Sequence, residues 1–169
     1  DSDFYIHSGS NPVGIGRAFL ANFQAGNTVQ GGSTITMQLI KNLFLSPQQA
    51  ISRKVAEVVL ALRLEQIFEK NEILEMYLNQ VYWGHNTYGV ETAAQSYFNK
   101  SAKDLTLAES AMMAGVIQAP ESFSPFLDYD TAKQRQGLVL NRMQRLEWIT
   151  PAEAEAAKKQ PIKLGEITS

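Results

Sequence analysis

Apolar residues recur along this chain mostly at the three- and four-residue spacing of helices, and the alternation that marks strands is nearly absent. Amphipathic patterns run through 70–80, 89–98 and 130–147. Two further helices are expected, one over 33–45 and one over 50–68, and nothing in the second range breaks a helix. The pattern therefore predicts an all-α domain of about seven or eight helices.

Several of these helices carry recognisable start signals. Ser46 is followed by a proline and, three residues on, a glutamine, and Thr106 and Thr150 are each followed three residues later by a glutamate. A hydroxyl residue with a glutamate or glutamine at that distance predicts a capping box. Ser33 and Asp130 are expected to cap two other helices.

Composition narrows the class of protein. The 169 residues are 44% hydrophobic and 19% charged, as in an ordinary globular domain. A net charge of -2 gives no basic footprint, so no nucleic-acid partner is expected. The absence of cysteine excludes a disulfide framework, a thiolate zinc site and a cysteine nucleophile. No apolar run reaches the roughly 18 residues that span a bilayer.

A glycine pair precedes a hydroxyl-rich helix start within 31–42. Backbone N–H groups and the helix dipole at such a start favour an anion. Thr34, Gln38 and Lys41 are spaced by four and three, so they share one helix face that suits a phosphate group. The alternative is a glycine turn before a surface helix. No glycine-lysine-serine phosphate loop is present, and no organic cofactor is expected.

A lone carboxylate stands in an apolar helix. Glu57 is the only charged residue within 55–62, and Arg53 and Lys54 lie one turn before it. This spacing predicts a half-buried carboxylate held by two cations. The alternative is a structural ion pair at the edge of a core.

Taken in order, these blocks resemble glycosyltransferase family 51, the peptidoglycan glycosyltransferase (transglycosylase) domains of class A penicillin-binding proteins and their monofunctional relatives. The first family motif, Glu-Asp-x-x-Phe-x-x-His-x-Gly, is matched from its second position by Asp1, Phe4, His7 and Gly9. Taken alone, an aromatic and a histidine at this spacing are more often packing residues than site residues.

The later motifs follow in the family's order over about residues 1–125. The second, Gly-Gly-Ser-Thr-Ile-Thr-x-Gln-Leu-x-Lys-Asn, matches 31–42, with Met37 where the family usually has glutamine. The remaining matches are Arg53, Lys54 and Glu57 for the third motif, 73–79 with Gly84 for the fourth, and 89–98 with the helix before Pro120 for the fifth.

The resemblance implies a lysozyme-like helical domain over 1–160 with a smaller membrane-facing lobe, followed by a linker stub over 161–169. The glycine-rich segment 8–32 would lie near the acceptor site and touch lipid.

The implied reaction joins lipid II to a growing glycan strand. The acceptor's 4-hydroxyl attacks the anomeric carbon of the donor with inversion, and polyprenyl pyrophosphate leaves. The family's base is a glutamate that would stand directly before Asp1, so the sequence is expected to be truncated there and to bind ligand better than it turns it over. Glu57 would be the second catalytic carboxylate, which orients substrate or binds a pyrophosphate-associated Mg²⁺ or Mn²⁺. The implied substrate-binding residues are Asp1, Phe4, His7, Ser33, Thr34, Gln38, Lys41, Asn42 and Arg53.

The same resemblance implies the partners. They are lipid II, the growing glycan strand, the membrane surface and inhibitors of the moenomycin type, with a C-terminal transpeptidase domain in a longer chain. The implied location is the outer face of the bacterial cytoplasmic membrane, held by an upstream anchor.

Two other functions stay open at this stage. A lysozyme-type hydrolase acts on the same glycan but needs a carboxylic acid with a raised pKa near the scissile oxygen. A catalytically inert helical module could hold glycan without reacting.

Overall fold

The computed structural model describes residues 1–9, 33–44 and 51–166, with side chains from 54 onward in the last range. Within these ranges the regular structure is helical, with seven α-helices, one short 3₁₀ helix and no strand, which confirms the all-α prediction. The α-helices are α1 Ile35–Phe44, α2 Ile51–Ile67, α3 Lys70–Gln80, α4 Val90–Phe98, α5 Leu107–Val116, α6 Tyr129–Arg145 and α7 Pro151–Lys159, and the 3₁₀ helix is Ala102–Asp104.

The chain divides into two compact units, and the first spans residues 1–80. In this unit α1 packs against both α2 and α3. Met37 and Ile40 of α1 form a buried cluster with Ala61 of α2. Met37 is fully buried, so the methionine that stands in the usual glutamine position of the family motif fills the core of this unit.

The second unit spans residues 81–169 and is organised around α5. Helix α6 packs along α5, and α7 contacts both of them. A β-carbon on Gly115 would lie 2.9 Å from the backbone of Arg135, so the absence of a side chain lets α5 and α6 approach closely. The fully buried Gln136 donates from Nε2 to the carbonyl of Ala108 at 2.7 Å, which ties the two helices together.

The capping predictions are confirmed in part. Thr106 and Thr150 both form complete capping boxes. The cap of α1 is Thr34, not the predicted Ser33, because Thr34 Oγ1 accepts from the amide of Met37. The cap of α6 is Asp128, not Asp130, because Asp128 Oδ1 accepts from the amide of Thr131 at 2.9 Å. The box predicted at residue 46 lies outside the described residues.

Packing of the second unit continues past α7. Ile162 is buried, and the amide of Gly165 donates to the carbonyl of Tyr97 at 2.7 Å. The linker stub over 161–169 stays a prediction, although its first residues are packed. Among the residues described, no helix is both long and apolar enough to cross a bilayer. The predicted lipid-touching segment falls almost wholly on residues 10–32, outside the described ranges.

Candidate active site

The N-terminal segment lies against the start of α1. Asp1 Oδ2 accepts a hydrogen bond from the amide of Ile35, the first residue of α1, at 2.9 Å. A carboxylate at this position pairs with an N–H group that has no partner inside the helix, and it is also stabilised by the helix dipole. The first and second motifs are thereby joined by a direct bond.

His7 completes this contact from the other side of the turn. Its Nε2 lies 3.0 and 3.1 Å from the two carboxylate oxygens of Asp1. Burial lowers the pKa of His7, the charge of Lys70 lowers it further, and the charge of Glu65 opposes them. The lowered pKa favours the neutral ring at pH 7. The neutral ring therefore donates from Nε2, because an ionised carboxylate can only accept.

The other ring nitrogen of His7, Nδ1, is a hydrogen-bond acceptor in the neutral ring, and no group of the described residues donates to it. Within the part of the chain that the structure describes, Nδ1 is buried and has no hydrogen-bond partner. The His7 side chain is 9% exposed, and its ring meets that of Phe4 edge-on. A bound ligand or a water molecule could supply the missing donor.

Gly9 fixes the end of the first motif against α2. Its φ of +80° is a left-handed conformation that favours glycine, and a β-carbon there would lie 2.7 Å from the carbonyl oxygen of Ala61. The carbonyl of Gly9 accepts from Thr34 Oγ1 at 2.9 Å. The Thr34 hydroxyl therefore serves both the cap of α1 and this docking bond.

The third motif meets the second through Lys54. Its Nζ lies 2.5 Å from Ser33 Oγ and 2.8 Å from Glu57 Oε2. Glu57 is only 1% exposed, so the expectation of a half-buried carboxylate is wrong. It is buried because it faces inward from α2, and spacing within one helix cannot show which face another helix covers. The side chain of Arg53 lies outside the described residues.

The remaining polar residues of α1 are spread along the helix. Gln38 Nε2 donates to the carbonyl of Ser33 at 3.4 Å, and Tyr77 OH donates to Gln38 Oε1 at 3.4 Å. Lys41 and Asn42 are exposed in the last turn. Lys41 stands about 10 Å along the axis from the start of α1, given a rise of about 1.5 Å per residue. The structure thus brings Ser33, Lys54 and Glu57 together, with Lys41 and Asn42 further along.

Sequence reasoning missed a second polar cluster in this unit. Glu65 accepts from Thr36 Oγ1 at 2.6 Å and forms an ion pair of 2.6 Å with Lys70. Neither charged residue belongs to a motif. The sequence did hold one signal for this cluster. Lys70 is the first residue of α3, where the helix dipole disfavours a cation, so a nearby carboxylate partner could have been expected.

The described residues do not form a metal centre by themselves. No group of three or more histidine, aspartate or glutamate side chains that could hold an ion occurs in the described ranges. Mg²⁺ sites in proteins often use one or two carboxylates, with substrate phosphates as further ligands. Glu57 could supply one such carboxylate oxygen, although its Oε2 is already paired with Lys54.

Comparison with known proteins agrees with this geometry. A family model described as "Transglycosylase" matches residues 1–144, which include every residue of the candidate site described above. The chain belongs to the transglycosylase family.

The similar proteins of known identity within this family include penicillin-binding proteins 1A. The chain is 47% identical over 162 residues to penicillin-binding protein 1A of Aquifex aeolicus, which covers 96% of this chain and 22% of the relative. It is 46% identical over 162 residues to penicillin-binding protein 1A of Escherichia coli, which covers 96% of this chain and 19% of that protein. The chain therefore spans about a fifth of the length of the curated relatives it matches.

The helical fold of this transglycosylase also has a counterpart among solved structures. The crystal structure of penicillin-binding protein 1A from Haemophilus influenzae aligns with a TM-score of 0.55 and 30% sequence identity, over 79% of this chain and 17% of that one. The described residues thus have the helical fold of the aligned part of penicillin-binding protein 1A.

Proposed function

We propose that this chain is a peptidoglycan glycosyltransferase domain that polymerises lipid II into glycan strands. The acceptor's 4-hydroxyl attacks the anomeric carbon of the polyprenyl-pyrophosphate-linked donor with inversion. The observation that carries this proposal is the meeting of three motifs at the start of α1. There Asp1 binds the amide of Ile35, and Lys54 joins Ser33 to the buried Glu57.

The leaving diphosphate needs positive charge. Lys54 has a side chain that is 43% exposed, so its ammonium group can meet substrate while it stays paired with Glu57. It lies beside Ser33 at the N-terminal end of α1, where the helix dipole adds positive potential. Donors fixed before the reaction stabilise developing charge without reorganisation. We therefore assign diphosphate binding to Lys54 as well as to Lys41 and Arg53.

The attacking hydroxyl needs a base. In the family motif a glutamate precedes the position of Asp1, and Asp1 is held to Ile35. A residue directly before Asp1 would therefore be carried to the same end of α1 as Lys54 and Glu57. A base on one side and cations on the other is the arrangement that a displacement reaction requires.

Glu57 orients Lys54 in this scheme. A divalent ion bound with the substrate diphosphate would add charge neutralisation, with Glu57 as one carboxylate ligand and diphosphate oxygens and water as the others. The lysozyme-type hydrolase is not favoured, because Glu57 forms an ion pair with Lys54, whereas the acid of such an enzyme must carry a proton to deliver. An inert glycan-binding module is not favoured either, because binding of glycan alone does not require a buried carboxylate paired with a partly exposed lysine beside a helix N-terminus.

We further propose the setting in which the domain works. Its lipid substrate places it at the outer face of the cytoplasmic membrane, and a transpeptidase domain would follow it in a longer chain. Inhibitors of the moenomycin type carry a phosphate group and would bind at the same cations. Lys41→Ala is therefore expected to weaken moenomycin binding.

The proposal is tested by incubating lipid II with a chain that carries a glutamate directly before Asp1. Glycan strands of increasing length are expected, with release of polyprenyl pyrophosphate. Release of reducing ends from finished glycan, without polymerisation, would instead establish the hydrolase. Binding of glycan without either reaction would establish the inert module.

A further inference from the structure

A partly buried ion pair outside the motif positions matched above joins α2 to the start of α3. Lys70 Nζ lies 2.6 Å from Glu65 Oε2, and the two side chains are 22% and 6% exposed. Burial of two charges costs desolvation energy that their attraction often does no more than offset. Lys70 also stands at the helix end where the dipole disfavours a cation. A contribution to the free energy of unfolding therefore does not by itself explain why the chain has this ion pair.

The pair contacts both of the segments that build the candidate site. Lys70 Nζ also donates to the carbonyl of His7 at 2.5 Å and lies 4.6 Å from the centre of the Phe4 ring. Glu65 Oε1 accepts from Thr36 Oγ1, in the first turn of α1, at 2.6 Å. The pair is thus fixed to the first motif by its cation and to the second motif by its anion.

These contacts close a ring of bonds around the start of α1. From α1 the ring runs through Glu65 and Lys70 to His7, from His7 to Asp1, and from Asp1 back to α1 at Ile35. Removal of one member opens this ring, and the segment then keeps its hold at Gly9, whose carbonyl accepts from Thr34 Oγ1, but loses part of its hold at Asp1 and His7.

We propose that Glu65 and Lys70 are positioning residues for glycosyl transfer, which hold Asp1 and His7 against the start of α1. This inference rests on the proposed function. The pair touches no reacting atom in this scheme. It acts through the backbone of His7 and the ring of Phe4, so its loss should lower kcat more than it raises KM.

The electrostatic field at His7 gives a second, independent measure of this role. The charged groups that face its ring are Asp1 and Asp3 from its own segment, Glu65 from α2 and Lys70 from α3. Besides burial, Lys70 lowers the pKa of His7 and Glu65 raises it. Loss of Lys70 should therefore raise that pKa and loss of Glu65 should lower it. A general loosening of the fold would not give opposite signs.

The experiment compares Lys70→Met and Lys70→Arg in the full natural chain with a control from the second unit. The control is Lys100→Met, which breaks an ion pair of similar length, 2.7 Å to Glu109, with side chains 40% and 5% exposed. Polymerisation of lipid II gives kcat and KM, thermal unfolding gives stability, and NMR titration gives the pKa of His7. Lys70→Met is expected to lower kcat by about 10- to 100-fold with KM within about threefold, as misplacement of a reacting group does. Lys70→Arg, which keeps the cation, should retain most of kcat, and Lys100→Met should keep all of it.

Each outcome decides one of the two proposals. If the wild-type chain does not polymerise lipid II, the proposed function fails, and the His7 titration still tests the positioning contact. If the wild type is active and Lys70→Met loses no more kcat than Lys100→Met, the positioning role is overturned. If Lys70→Met does not fold, Glu65→Gln combined with Lys70→Gln removes both charges, keeps polar groups in place and is judged by the same comparison.

Discussion

The carbonyl oxygen of Ala61 lies 2.7 Å from the point at which a β-carbon would stand on Gly9. Real β-carbons do not approach backbone oxygens so closely, and Gly9 also has a φ of +80°. The glycine of the first motif is therefore the point at which the N-terminal segment touches the backbone of α2. Its carbonyl is held by Thr34 Oγ1 at the same time.

Gly9→Ala is expected to destabilise the first unit by about 2 kcal/mol or more, because it combines a left-handed alanine with a backbone clash. Denaturant unfolding measures this loss. The matched control is Gly137→Ala in α6, where a β-carbon would meet nothing within 4 Å. That variant should gain roughly 0.5 to 1 kcal/mol from the lower helix cost of alanine. Equal effects of the two substitutions would contradict this account of Gly9.

Glu57→Gln is expected to lower lipid II polymerisation by about 100-fold or more, because it removes the charge that orients Lys54 beside the diphosphate site. It should also reduce stability by about 1 to 3 kcal/mol, because the carboxylate is buried and bonded. Initial rates and denaturant unfolding measure the two effects.

The control is Glu155→Gln in α7, which breaks an ion pair of 2.6 Å with Lys158 at the same i,i+3 spacing as Lys54 and Glu57. Glu155 is 56% exposed, so its loss should leave stability and rate almost unchanged. A Glu57→Gln enzyme with wild-type turnover would remove Glu57 from the mechanism.

Local signals explain what the sequence could predict of this fold. The boxes at Thr106 and Thr150 depend on residues within one helical turn, so reading four adjacent positions was enough to find them. The caps at Thr34 and Asp128 were missed by one and two positions, because several neighbouring residues could each cap and the backbone alone decides between them.

The candidate site also has one part that local spacing predicts and another that only the packing of helices produces. The pairing of Lys54 with Glu57 follows from their spacing on one helix. The burial of Glu57 and the bond of Lys70 to His7 do not follow from spacing. The latter joins residues 63 positions apart, and only the packing of α1, α2 and α3 brings them together.

The two capping boxes should differ in their contribution to stability. Thr106→Ala is expected to cost about 1 kcal/mol or more, since it removes the cap of α5. It also removes the bond of 3.1 Å that Gln160 Nε2 donates to Thr106 Oγ1. Thr150→Ala removes a cap of the same kind at an exposed position. Among the bonds of the described residues, the Thr150 hydroxyl is bonded only within its own capping box, so the loss should be smaller. Denaturant unfolding of both variants checks the order, and the reverse order would contradict it.

His7 should make stability depend on pH in a defined window. Burial, followed by the charge of Lys70, lowers its pKa below the ordinary value of 6.5. Well above pH 6.5 the ring is neutral in both the folded and the unfolded chain, so this group adds no pH dependence there. As pH falls below that value the unfolded chain takes up a proton first, and stability is lost until the lowered folded pKa is reached.

The measurement is denaturant unfolding at about pH 7.5 and pH 5.5, on either side of the unperturbed histidine pKa. The wild type should lose stability between the two, and His7→Gln, which keeps a donor towards Asp1, should lose less. The carboxylates whose pKa is lowered, such as Glu109, titrate below 4.5 and act outside this window. The only other histidine is His85, so His85→Gln measures its share separately. An unchanged fall in His7→Gln would show that His7 is not the group responsible.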